Sequence, residues 1–235
     1  MNARTQRMIV SLVCSAFASI IAVCQEEHEW ATAFGEDPDS LLTEGVNPYF
    51  ILTPGYQLEL KGKEGRKEVV LLVTVLDETE MVDGIAARVV EERESADGKV
   101  VEVSRNYFAF SPRTSNVYYF GEDVDIYRNG SIVNHEGSWR SGVHGARYGL
   151  MMPGAPLPGS RYYQEMAPGV AMDRATIISL GGSMRTEAGS FEHCLVTEET
   201  TPLEPESKEK KYYARGIGLV KDDTLTLVRH GYRTN

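Results

Sequence analysis

The chain is poor in cysteine, histidine and basic charge, and each shortage closes off a class of readings. Its three cysteines, Cys14, Cys24 and Cys194, form no Cys-x-x-Cys pair and no zinc-ligand spacing. The five histidines are scattered, so any zinc site would have to be assembled by the fold. There is no His-Glu-x-x-His, no Gly-x-Ser-x-Gly and no Walker loop, so no local motif assigns a reaction. Lys and Arg number 24 against 34 Asp and Glu. Two of those cations, Arg4 and Arg7, lie in the first 24 residues, which hold no acid, so the remainder carries 22 minus 34, or −12. Such a charge disfavours nucleic acid and anionic membrane surfaces as partners.

Long hydrophobic runs are confined to the beginning. Arg4 and Arg7 precede an almost uncharged apolar stretch, Met8 to Val23, shorter than the roughly 20 residues of a spanning helix. Ala22-Val23-Cys24 then gives way to the polar Gln25-Glu26-Glu27-His28-Glu29. The pattern predicts a signal peptide over 1–24, cleaved before Gln25, and a secreted or periplasmic mature protein. Ile21-Ala22-Val23-Cys24 also has the outline of a lipobox, which would anchor the chain through a lipid on Cys24. Val23 departs from the small residue usual before such a cysteine. With Cys14 and Cys24 removed, Cys194 is alone and alternates with Val196 on a strand-like run, so it reads as a buried, inert thiol.

Helical periodicity is missing after the leader; period-two alternation and turn dipeptides take its place. Residues 25–46 are acidic and aperiodic, and read as a tether or loosely packed lead-in. A single β domain is expected over 47–230. Its strands are predicted at Tyr56–Lys61, Glu68–Leu76, Ile85–Arg93, Lys99–Phe110, Val117–Phe120 and Val124–Arg128, then Ser131–His135, Ala171–Met184, Ser190–Thr200, Lys208–Ala214 and Thr224–Arg229. Asp83-Gly84, Asp97-Gly98 and Asn129-Gly130 mark tight hairpins. The expected fold class is all-β, an antiparallel sheet curled into a half-open barrel or a sandwich. Gly149 to Gly159 interrupts the rhythm with prolines, glycines and large apolar residues. It reads as a loop capping the open end of the sheet, or a lid over an apolar ligand, and not as a central strand.

Several ordered segments carry a resemblance. Asn47-Pro48-Tyr49-Phe50-x-Leu52-x-Pro54-Gly55 opens it, followed by Val117 to Asp123, His135 to Trp139, Tyr163 to Gly169 and Thr201 to Pro205. Lys211-Tyr212-Tyr213-Ala214-x-Gly216-Ile217-Gly218-Leu219-Val220 closes it. This succession resembles a family of uncharacterised secreted bacterial β-proteins. Arg215 departs from the family pattern, which usually has proline there. The ending is also similar to those of half-open β-barrels of the lipoprotein-carrier type. The resemblance implies a β fold and supplies no chemistry.

Three constellations are candidates for chemistry. A two-residue Asn129-Gly130 turn predicts pairs Arg128–Ser131, Ile126–Val133, Asp125–Asn134, Val124–His135 and Asp123–Glu136. That register puts Asp123, Asp125, Asn134 and Glu136 on one face, as a Ca²⁺ site or a solvated acidic face. It puts His135 on the apolar face beside Val124, Ile126 and Val133, as a core histidine. Second, the doublets Tyr118-Tyr119, Tyr162-Tyr163 and Tyr212-Tyr213 each send one ring inward and one outward, and outward rings could line a groove. With the apolar loop they nominate Tyr119, Trp139, Met151, Met152, Tyr163, Glu165 and Tyr213 as ligand-binding. Third, Asp123, Glu136, Glu165 and Glu199 are the acids from which a carboxylate-based hydrolase would draw its pair. The leading expectation is a non-enzymatic, envelope-associated protein binding an apolar, lipid-like or amphipathic small molecule. The hydrolase and a calcium-stabilised structural module are its alternatives.

Overall fold

A computed structural model describes residues 29–233. The predicted signal peptide and Cys24 lie outside them. In chain order the strands are β1 (Gly45–Asn47), β2 (Phe50–Leu52), β3 (Tyr56–Glu64), β4 (Lys67–Val82), β5 (Ile85–Ala96), β6 (Lys99–Phe110), β7 (Val117–Arg128), β8 (Ser131–Asn134) and β9 (Trp139–Arg140). They continue as β10 (Arg147–Met152), β11 (Arg161–Tyr163), β12 (Glu165–Met166), β13 (Arg174–Thr186), β14 (Gly189–Thr201), β15 (Glu204–Ala214), β16 (Gly218–Asp222) and β17 (Leu225–Tyr232). The described residues are all-β; one 3-10 turn at Pro38–Ser40 is the sole helical element among them.

The connectivity is that of an up-and-down barrel. One run of neighbours passes from β3 through β4, β5, β6 and β7 to β10 and β12. The other passes from β11 through β13, β14, β15 and β16 to β17. β17 pairs antiparallel with β3, so the two ends of the domain close one side of the wall. The other side has an unsealed seam between β11 and β12. These two strands are one extended segment, parted by Gln164. Its first half pairs with β13 and its second half with β10.

The hairpins form where turn chemistry demands them. Asp83-Gly84, Asp97-Gly98 and Asn129-Gly130 all have positive φ at both residues, as a tight two-residue hairpin turn requires. Inward positions of β3, β4, β14 and β17 supply Leu60, Val69, Leu195 and Leu227, all essentially without exposed surface. Each large aliphatic side chain so buried contributes about 1.5–3 kcal/mol. Asn47, also fully buried, pins the opening motif. Its Nδ2 donates to the Ser115 and Met152 carbonyls (2.6 and 3.3 Å), and its Oδ1 accepts from the Tyr49 amide (2.8 Å).

Three expectations are corrected here. The lead-in is packed on the wall from residue 30 onward. Ala31 forms a parallel bridge to Tyr162 along the free edge of β11, exchanging bonds of 3.0 and 3.1 Å with Arg161 and Tyr163. Trp30 lies under Arg174, 4.3 Å from guanidinium carbon to ring centroid. Glu36, with 1% of its side chain exposed, accepts from Arg113, Thr114 and Tyr118. Second, the apolar Gly149–Met152 begins as strand β10, paired with β7; the loop starts only at Pro153. Gly149 is what permits it: a Cβ there would collide with the carbonyls of Tyr163 and Gln164. Third, the Asn129-Gly130 hairpin slips. Tyr127 pairs with Ile132 as expected, but Ile126 faces Asn134, leaving Val133 as a bulge.

Candidate functional site

Closing the sheet brings together side chains that lie far apart in sequence. Tyr162, Ala175 and Glu199 are successive cross-strand partners on β11, β13 and β14 and share the inner face. On β15, Lys211 and Tyr213 point the same way. Glu199 is the centre of the group. Its Oε1 accepts from Gln164 Nε2, the Thr197 hydroxyl and the Tyr213 hydroxyl, each at 3.3 Å. Its Oε2 lies 3.0 Å from Lys211 Nζ. The same ammonium is 3.5 Å from Asp222 on β16. Burial works to lower the Lys211 pKa, but Glu199 and Asp222 more than reverse this, so it remains a cation.

The opposite wall is acidic too. Burial pushes the Glu92 carboxyl up to about 7, opposed by Lys211 and assisted by Asp222, Glu102 and Glu199. Burial pushes Glu122 up to about 8, with Glu92 and Glu102 adding to it. Glu165 is held well above the usual carboxylate range by burial, then by Glu122 and Asp173. Like charges in a confined space cannot all ionise, so the group shares protons. Tyr119 donates from its hydroxyl to Asn106 Oδ1 and stacks on Phe108, with ring centroids 4.6 Å apart.

An apolar cleft abuts this group. It lies open to solvent between Tyr49, Ile51, Tyr56, Leu58, Val75 and Leu219. Met151, Tyr213 and the ionic trio Glu92, Lys211 and Asp222 complete its inner wall. Glu92 and Asp222 also line a neighbouring vestibule whose other charged residues, Glu64, Glu94, Glu102, Glu209 and Asp223, are all acidic. The Gln164 amide links cleft and acid group, since its Nε2 also lies 3.7 Å from Met151 Sδ. Two buried polar atoms in this region have no protein partner: Tyr162 Oη and Gln164 Oε1.

The nominated residues divide sharply. Tyr119, Met151, Glu165, Glu199 and Tyr213 belong to the interior group. Contrary to the outward-groove expectation, Tyr119 and Tyr213 both face inward. Tyr163 faces outward against Trp30, with ring centroids 6.2 Å apart. Met152 is buried on the other face of β10, and Trp139 packs edge-on against Tyr119. The acidic hairpin does not assemble as expected. Asp123 does not oppose Glu136; Arg140 Nη2 and Tyr107 Oη hold its carboxylate at 2.6 and 2.7 Å. Asp125 meets His135 Nδ1 at 2.8 Å. His135 is exposed instead of sitting in a core, because the bulge at Val133 turns it out. Asn134 Oδ1 caps the Glu136 amide at 3.2 Å, and both side chains are exposed. Among the described residues no group of three or more His, Cys, Asp or Glu is placed to hold a metal ion. Cys194 is buried, as the alternation implies, and burial raises its thiol pKa.

Sequence reasoning missed Glu92, Glu122, Lys211, Asp222, Tyr162 and Gln164. Glu92 sits in a run of charged residues, Glu91 to Glu94, that reads as solvated surface. No family model, curated protein or solved structure matches the chain.

Proposed function

We propose that the barrel is a binding module for a small amphipathic molecule held in its interior. One observation carries this reading: an apolar cleft open to solvent has a half-buried ionic group, Glu92, Lys211 and Asp222, in its lining. Apolar walls with a few convergent polar groups are the usual makeup of a small-molecule site. The apolar walls take a hydrocarbon or aryl body, and the ionic end fixes its orientation. The leader and the resemblance to secreted bacterial β-proteins support export to the envelope or beyond it. Among the described residues no helix is long and apolar enough to cross a membrane. Titration with a neutral solvatochromic dye such as Nile red tests the reading. A blue-shifted, saturable signal that is lost in Leu58→Asp is expected; no saturable uptake by the folded chain sinks it.

A second reading rests on Glu165 and Glu199 alone of the four hydrolase candidates, since Asp123 and Glu136 lie outside the barrel. Glu165 retains a proton where Glu199 is ion-paired to Lys211, a division of roles that acid–base hydrolysis uses. Release of a chromophore from aryl glycosides or aryl esters, abolished in Glu165→Gln, would favour it. Equal background rates in both chains would remove it.

A further inference from the structure

The interior group has an imbalance of charge that bears on what enters it. Glu92, Glu102, Glu122, Glu165, Glu199 and Asp222 act on one another, and the basic side chain among them is Lys211. Lys211 is already engaged by Glu199 and Asp222. The vestibule that shares Glu92 and Asp222 with the cleft is acidic, with no basic residue in its lining. A cavity lined by one sign of charge concentrates ions of the opposite sign. A second observation is independent of the acids. Tyr162 and Gln164 are 97% and 96% buried, yet Tyr162 Oη and Gln164 Oε1 have no partner. Tyr162 shares an inward row with Glu199, and Gln164 donates to that same carboxylate. An amide oxygen can only accept, and an unmet buried acceptor calls for a donor.

Building on the binding function proposed above, we infer that the ligand is an amphipathic cation whose protonated primary or secondary amine enters the acid group while its apolar body fills the cleft. The ammonium supplies two or three N–H donors. Gln164 Oε1 and the Tyr162 hydroxyl oxygen meet them, and the carboxylates supply the counter-charge. The acids are spread over β5, β6, β7, β12, β14 and β16, so they suit a broad organic cation and not a compact metal ion that needs six to eight oxygens within about 2.6 Å. Glu92 and Glu122, pushed up to about 7 and 8 chiefly by burial, are the groups an arriving cation would relieve. An anionic amphiphile such as a fatty acid would meet the same field as repulsion.

Three probes of equal chain length separate the parts of this proposal. Dodecylamine, dodecanol and dodecanoic acid, each kept below its micelle concentration, are competed against Nile red on the full chain at pH 7. The amine is expected to bind at least tenfold more tightly than the alcohol, and the acid more weakly than either. Glu92→Gln and Glu165→Gln should each lower amine affinity several-fold more than they lower that of the alcohol. Equal affinity for amine and alcohol, or preference for the acid, overturns the cationic ligand and leaves the amphipathic cleft standing. Failure of all three to displace the dye, or of the dye to bind, overturns both. The head-group comparison uses the unsubstituted chain, so it holds even if a variant fails to fold.

Discussion

Lys211 Nζ lies 3.0 Å from Glu199 Oε2 and ties β15 to β14 inside the wall. Neither side chain is exposed by more than 20%, so removing one leaves the other as an uncompensated buried charge. Lys211→Met is expected to cost about 3–5 kcal/mol. Urea denaturation checks this. Adding Glu199→Gln should recover part of the loss, because the double variant has fewer unpaired charges.

Stability should fall as pH rises from about 4.5 to about 8. Glu92, Glu122 and Glu165 have raised pKa values in the folded chain, so over this window the folded state binds more protons than the unfolded one. Their contribution is complete below the unfolded value near 4.5 and lost as pH climbs through the folded values. Glu36 works in the opposite sense. Burial raises its pKa, but Ser111, Arg113 and Thr114 lower it further, so its contribution is lost at acid pH. Thermal melts across pH 4 to 9 should descend on the alkaline side. Glu92→Gln should flatten that descent.

Calcium and a chelator should give superimposable melts. Arg140 and Tyr107 already saturate Asp123, and Asp125 is engaged by His135. Asp123→Asn should lower stability by about 1 kcal/mol through the loss of the Arg140 ion pair, half exposed as it is. A calcium-dependent rise in midpoint, absent in that variant, would restore the metal reading.

Glu36→Ala should cost about 1–3 kcal/mol, because Arg113, Thr114 and Tyr118 lose a common acceptor. Hydrogen exchange should then quicken along residues 29–42 before it does so in β3 to β7. Unchanged protection of the lead-in would show that its packing does not depend on that carboxylate.

Gly149→Val should disturb the seam selectively. The new side chain collides with the Tyr163 and Gln164 carbonyls, and overpacking of this kind costs about 1–3 kcal/mol. Limited proteolysis should find a new cleavage between residues 153 and 173. Cleavage elsewhere would point to global unfolding instead.

Much of the wall was legible because local rules act on short spans. Lys99–Phe110 is read to the residue, and three Asx-Gly dipeptides each adopt the turn their chemistry favours. Strand lengths were underestimated where charge interrupts them. β4 runs on through Asp77, Glu78 and Glu80 because Arg88, itself buried, bonds the Leu76 and Glu78 carbonyls across the bulge. The interior site was illegible for a physical reason. A glutamate in an alternating strand looks outward by default, and only closure of the sheet decides that Glu92, Glu122 and Glu199 face one another. The hairpin misreading has the same origin: a one-residue bulge at Val133 leaves no trace in composition but reverses which face carries His135.

The half-and-half pairing of residues 161–166 bears on self-association. An open sheet of this length would end in two long rows of free amides and carbonyls, each a template for another chain. Here the two ends are halves of one short segment. Each half has a free flank of only two or three residues, and Ala31 already covers that of β11. At the two ends of the strand order a second molecule therefore finds only a short ladder to extend, although the cylinder is not fully zipped. The seam keeps its aperture with only a few residues of free edge on β11 and β12.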